Sequence, residues 1–471
     1  MLNRFLRSTV LIASVARAGA AQVTHPCETS KLGPKSECGT YSVFEDRASR
    51  AGRRIDINFV VLRAQLPAGK EPVFLFAGGP GQGSTALAGL GSGVLKPVRE
   101  IRDIVLVDQR GSGGSNPLDC ETEGLKNPAA AFGHVFHPDM VRRCREALSP
   151  RANLTLYGTD LAVADIDDIR QALGYDRVIL WGGSYGTRLA QAYMRRFPDR
   201  VAAAVLDGVV PFDFAAPLTY ARTLQASLDH QLASCRERAA CRDSFPTLDQ
   251  DFATIVERFR KGPVQATVRV KAGAEPAPVT MSLGDFGYAV RGVLYSAEAS
   301  RGLPGMIHRA AAGSDLSEFA QRYWERVASF AGEFSDGLHF SIFCSEDIPF
   351  IGDDAAKAQY QGSFIGSYLL DEYRGACAGW EAKPVAESER RPLSSNIPTL
   401  LLSGFFDPVT PPEMGARVAR TLSVSRHIVV ANTAHGSGFG CARAATLHVL
   451  VKGTLEGLPA VCDEPPRRDQ R

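Results

Sequence analysis

The sequence predicts an α/β protein: a mainly parallel sheet interrupted by a mainly helical insertion before its last two core strands. Three observations carry this. Short continuous apolar runs at residues 72–76, 104–107, 178–181, 201–206, 399–404 and 427–430 read as strands buried on both faces. Helical spacing separates several of them, and repeated strand, helix, strand alternation calls for a parallel sheet with right-handed crossovers. From about residue 211 to 397 the apolar runs give way to helical periodicity, with residues 264–270 as a single convincing strand candidate.

The chain has 471 residues, enough for one large domain with an insertion or for two ordinary ones. With 45% hydrophobic and 22% charged residues its composition is globular, which excludes collagenous, coiled-coil and disordered classes. The formal net charge is +2 and Lys and Arg are scattered, so nucleic acid is not an expected partner.

Residues 1–21 read as a secretory signal. Arg4 and Arg7 give a positive start, residues 10–15 a short apolar core, and Ala18, Gly19, Ala20 and Ala21 a small-residue cleavage site. Arg17 interrupts the apolar stretch, and no later run is long enough to span a bilayer. The ten cysteines contain no Cys-x-x-Cys pair, so a zinc or thioredoxin-like site is not expected. They fall into sequence neighbours, Cys27 with Cys38, Cys120 with Cys144, Cys235 with Cys241, Cys344 with Cys377, and Cys441 with Cys462. This pairing is a hypothesis, because spacing alone does not fix connectivity; it implies a periplasmic or extracellular protein.

Residues 41–46 and 54–62 alternate as strands, the second placing Ile55, Ile57, Phe59 and Val61 on one face. The buried run 72–76 leads into Ala77-Gly78-Gly79-Pro80-Gly81-Gln82-Gly83, a loop whose bare N–H groups suit an anion. No Gly-Lys-Ser/Thr follows, so a phosphate loop is excluded and an oxyanion site fits better. The strand 104–107 ends in Asp108-Gln109-Arg110-Gly111-Ser112-Gly113. A helix is expected over residues 159–173, with Thr159 as its cap.

The strand at 178–181 runs into Gly182-Gly183-Ser184-Tyr185-Gly186, and Leu189, Ala190, Ala192 and Tyr193 then recur at helical spacing. A serine on a strand-to-helix turn is pushed out above the sheet, which makes Ser184 the candidate nucleophile. A hydroxyl needs a base oriented by a third group. Asp407 follows the strand 399–404, and His435 lies in a Gly-flanked loop after the next. The chain order Ser184, Asp407, His435 is that of the α/β-hydrolase fold. Nine histidines are present; His427 falls in a strand and His448 in a terminal helix over residues 448–453, and His435 is the one in such a loop. The N–H groups of Gly79 and Tyr185 are the expected oxyanion donors.

Together Gly78-Gly79-Pro80-Gly81, Asp108 to Gly113, Gly182 to Gly186 and Asp407-Pro408-Val409-Thr410-Pro411 resemble the proline iminopeptidase and tripeptidyl aminopeptidase family of α/β-hydrolases. The block from Asp407 through Cys462 is similar to the secreted tripeptidyl aminopeptidase branch. Ala77 departs from the histidine common before the two glycines. The resemblance implies a serine aminopeptidase acting on short peptides with a free N-terminus, and acidic lid residues that hold the α-ammonium. Glu346, then Asp347, are the candidates. The change of pattern along the chain divides it into a core over residues 22–210, a helical lid over 211–397 and a C-terminal core part over 398–471, and no metal or organic cofactor is implied. A carboxylesterase using the same triad, and a binding protein on the same fold, are the competing readings.

Overall fold

The computed structural model describes residues 23–28, 32, 34–66, 71–120 and 127–460. The expected signal segment and Cys462 lie outside the described residues. Among the described residues one mixed sheet runs through strands β1 (His25–Pro26), β2 (Ser36–Phe44), β3 (Arg54–Leu62), β4 (Val73–Phe76), β5 (Ile104–Val107), β6 (Val178–Gly183) and β7 (Val201–Asp207). A separate hairpin, β8 (Val264–Val268) and β9 (Ala277–Met281), precedes the last two sheet strands, β10 (Thr399–Gly404) and β11 (Ser425–Val430). The spatial order is β1-β2-β3-β5-β4-β6-β7-β10-β11. From β5 to β11 all neighbours are parallel, while β1, β2 and β3 form an antiparallel entry that joins β5.

Periodicity explains the layers. Along β3, Ile57, Phe59 and Val61 pack into the core on one face of the sheet, and Val60 and Leu62 into the core on the other. The central strands β4, β5 and β6 are buried along nearly their whole length, as continuous apolar runs in a sheet covered on both faces must be. Between β7 and β10 the chain folds into helices around a core of its own, including Leu224, Ile255, Phe286, Phe319 and Tyr323; Val409 and Met414, from loop and helix after β10, join that core.

Three local expectations change. The helix Thr159–Ala172 has Gly158, not Thr159, at its N-cap, because the Thr159 N–H and hydroxyl both donate to Glu346. The strand β9 was not expected: Pro278 removes a donor and argues against a strand, yet a two-stranded hairpin leaves an open edge where it is tolerated. The terminal helix is Arg443–Lys452, starting earlier than residue 448.

Disulfides join Cys27 to Cys38, Cys120 to Cys144, Cys235 to Cys241 and Cys344 to Cys377, and Cys441 is also disulfide-bonded. Among the described residues no helix is long and apolar enough to cross a membrane.

Candidate active site

The turn from β6 into the helix Tyr185–Arg196 consists of Ser184 alone, at φ 55° and ψ −123°. Such a conformation is strained for a residue with a side chain, and it projects the hydroxyl above the sheet edge. Its neighbours have no room for more. A Cβ on Gly182 would lie 2.4 Å from the Gly186 carbonyl oxygen, and one on Gly186 2.3 Å from that of Phe76. The Ser184 N–H donates to the Asp207 carbonyl at the end of β7, 2.8 Å away, which ties the elbow to the neighbouring strand.

Asp407 and His435 sit in the loops after the adjacent strands β10 and β11. His435 Nδ1 is 2.7 Å from Asp407 Oδ2. Asp407 also accepts from Val409 N (2.8 Å), Thr410 N (2.9 Å) and Thr410 Oγ1 (2.7 Å). Burial alone would raise the Asp407 pKa, but the charge and hydrogen bond of His435 and the Thr410 donors outweigh it and hold it below the usual carboxylate range. Conversely, burial pulls the His435 imidazolium down, and Asp407 more than restores it, so the net shift is upward. An ionised Asp407 fixes the proton on Nδ1 and leaves Nε2 able to accept one. Among the described residues no hydrogen bond joins Ser184 Oγ to His435; in free enzymes such contacts are commonly open and tighten on substrate binding.

One buried acid holds the two loops together. Asp207 accepts from Ser437 N (2.9 Å), Ser437 Oγ (3.1 Å) and Gly438 N (2.9 Å), just beyond His435, while its own carbonyl takes the Ser184 N–H. An Asp-Gly pair at a strand end was visible in the sequence, but nothing local linked it to residues 230 positions away.

The glycine loop after β4 lies against the elbow: a Cβ on Gly78 would be 3.1 Å from that of Ser184. Asp108, at the end of β5, secures it by accepting from Thr85 N (2.8 Å), Thr85 Oγ1 (3.0 Å), Asn58 Nδ2 (2.9 Å) and Gly114 N (2.9 Å). Nearby, the fully buried Arg110 pairs with Asp165 at 2.6 Å and donates to the carbonyls of Glu45 and Leu156. Tyr185 is the first residue of its helix, where an N–H has no partner in the helix itself. Gly79 and Ser184 both line one cavity.

That cavity lies between the sheet edge and the inserted helices. Asp336, His339, Phe343, Asp347, Tyr288, Arg291 and Tyr295 line it from the insertion. The two acids predicted from the sequence part company here. Glu346 and Asp347 are consecutive on a single π-helical turn, Phe343–Asp347, so their side chains point apart. Glu346 accepts from Thr159 and faces a different cleft beside Arg195 and Arg390. Asp347 faces the Ser184 cavity, paired with Arg188 through two hydrogen bonds of 3.0 and 2.9 Å and accepting from Ala216 N. Asp336, which the sequence did not single out, lines the same cavity, and burial together with the Asp119 charge pushes its carboxyl up to about 7. Among the described residues no group of three or more His, Cys, Asp or Glu side chains is gathered for a metal ion.

Residues 71–244 match the family described as "alpha/beta hydrolase fold", and residues 362–462 the family described as "TAP-like protein". Serine protease Hip1 of Mycobacterium tuberculosis is 27% identical over 426 residues, covering 82% of this chain and 79% of that protein. Carboxylesterase B of the same species is 28% identical over 457 residues, covering 89% and 85%. A proline iminopeptidase of Neisseria gonorrhoeae is 31% identical over 138 residues, 29% of this chain and 32% of that protein. A solved proline iminopeptidase from Mycobacterium smegmatis aligns with a TM-score of 0.40 at 14% identity, over 88% of this chain and 98% of that one. With a nucleophile elbow on a mainly parallel sheet and both family matches, the chain is a serine hydrolase of the α/β-hydrolase fold family with a TAP-like C-terminal region.

Proposed function

We propose that this protein is an exported aminopeptidase that cleaves short peptides from a free N-terminus through an acyl-enzyme on Ser184. His435 Nε2 takes the Ser184 proton as Oγ attacks the scissile carbonyl, and Asp407 stabilises the resulting imidazolium. The N–H groups of Gly79 and Tyr185 receive the developing oxyanion; such a donor contributes roughly 3 kcal/mol to the transition state. His435 then protonates the leaving amine, and water, deprotonated by the same histidine, releases the acyl group.

The observation that carries the peptidase reading is the pair of carboxyl groups, Asp336 and Asp347, among the residues that line the Ser184 cavity. Asp336, which has no cationic partner among the described residues, and Asp347, paired with Arg188, supply carboxyl groups in the cavity, where an ammonium is favoured and an acylated amine is not. Asp336 and Asp347 take the place of Glu346, because Glu346 lines a different cleft and they line the Ser184 cavity. A bound ammonium would also draw Asp336 back to its ionised form. The helices between β7 and β10 act as the lid in this reading. The disulfides and the N-terminal residues 1–21 support export.

The similarity to carboxylesterase B favours a second reading, hydrolysis of small esters by the same residues. A matched panel separates the two: free-amine and N-acetylated mono-, di- and tripeptidyl anilides and a short-chain ester, with wild type and Ser184→Ala. Turnover confined to free amines, and reduced about 10⁴-fold or more in the variant, is the expected result. Turnover of the ester alone would replace the peptidase with the esterase.

A further inference from the structure

The cavity wall contains a buried cation with no counter-charge. Arg291, on the helix Leu283–Leu294, is 6% exposed and lines the Ser184 cavity. Among the described residues its side chain makes no hydrogen bond or ion pair, and its Nε is fully buried without a partner. What surrounds it is aromatic: the guanidinium carbon lies 4.5 Å from the ring centre of Tyr220 and 5.2 Å from that of Tyr295.

The other charged groups of the cavity do not fill the gap. Arg188 is paired with Asp347 at 2.9 Å and lies 3.6 Å from Glu346, His134 is matched by Glu372 at 2.8 Å, and His339 is buried, its pKa lowered to about 4, between the Pro80 carbonyl and the Tyr373 hydroxyl. Asp336 is not within ion-pair distance of Arg291. A guanidinium stays charged at any physiological pH. Aromatic faces return only part of what a guanidinium loses on leaving water, so the wall keeps an unmet demand for an anion.

Its place says which anion. Tyr295 touches both Arg291 and the His435 ring, whose centre is 5.0 Å from its own, and the Arg291 charge opposes protonation of His435. An anion held by Arg291 is therefore part of a molecule that also reaches Ser184. The planar fork of a guanidinium matches a carboxylate through two parallel hydrogen bonds. We propose that Arg291 is a carboxylate-recognising residue of this cavity, and that preferred substrates carry a carboxylate near the scissile bond, as a free C-terminus or an acidic side chain. The inference deepens the peptidase reading and rests on Ser184 as the nucleophile.

The test is kcat/KM on matched pairs: short free-amine peptides ending in a carboxylate or an amide, peptides with Glu or Gln beside the cleaved bond, and half-esters against diesters of a dicarboxylic acid. Wild type should favour the carboxylate member of at least one pair by about 10- to 100-fold, and that pair names the source. In Arg291→Gln the ratio should fall to within about threefold of one, and Arg291→Lys should keep part of it. Ratios near one for every pair in wild type, or a preference that survives in Arg291→Gln, would overturn the proposal. If Arg291→Gln does not fold, the wild-type ratios and Arg291→Lys decide. Peptide cleavage without preference removes the role of Arg291 and leaves the peptidase, whereas a preference confined to half-esters removes the peptidase and leaves Arg291.

Discussion

The two walls of the cavity are built on opposite principles. On the sheet edge the buried acids are saturated: Asp108 accepts from Thr85, Asn58 and Gly114, Asp207 from Ser437 and Gly438, and Asp407 from His435, Val409 and Thr410. On the wall from the insertion, Arg291 has no polar partner and Asp336 is held partly protonated near neutral pH. The first arrangement allows one geometry, as a nucleophile and base must have. The second keeps polar capacity in reserve, which the proposed function assigns to the substrate. In the proposed function, chemistry therefore falls to the sheet edge and recognition to the insertion.

That division can be broken most severely at Asp407. Asp407→Asn should lower kcat by about 10⁴-fold on every substrate, since an amide no longer fixes the His435 tautomer; a loss that depended on the substrate would blur the two walls. The same variant sharpens the electrostatics. Because Asp407 raises the His435 pKa and the base must be neutral, activity of the wild type falls as pH drops through a value above the ordinary 6.5. In Asp407→Asn the acid limb of kcat/KM should move to lower pH.

Asp207 should give a smaller effect. Asp207→Asn presents an amide donor to N–H groups that now find an acceptor, so the His435 loop loosens. We expect kcat to fall by about 10- to 100-fold with KM little changed, measured alongside circular dichroism to establish folding. A KM effect that exceeds the kcat effect would move Asp207 from positioning to binding.

The smallest effect on chemistry is expected in the insertion itself. The Cys344–Cys377 bridge closes a span of 33 residues beside Asp347. Replacing both cysteines by serine should cost roughly 3–4 kcal/mol of stability by the loop-entropy argument, seen as a lower Tm, with turnover of a free-amine peptidyl anilide retained within several-fold. If turnover fell with stability, the walls would be coupled more tightly than their separate cores imply.

Much of the sheet-edge wall could be read from the chain. Continuous apolar runs marked β4 to β7 and β10, because a strand buried on both faces needs no polar alternation. Ser184, Asp407 and His435 each stood directly after such a run, and the chemistry of a hydroxyl nucleophile narrowed the choice of base and acid. The helical character of the insertion also followed from periodicity; the hairpin strand β9, with Pro278 as its second residue, did not.

Tertiary structure decided the rest. Sequence spacing says that Glu346 and Asp347 are neighbours, but only packing against Thr159 on one side and Ala216 on the other determines which one lines the Ser184 cavity. The pairing of Asp207 with Ser437 and the solitude of Arg291 have the same origin: hydrogen bonding and desolvation act over a few ångströms in space, between residues whose distance along the chain carries no sign of it.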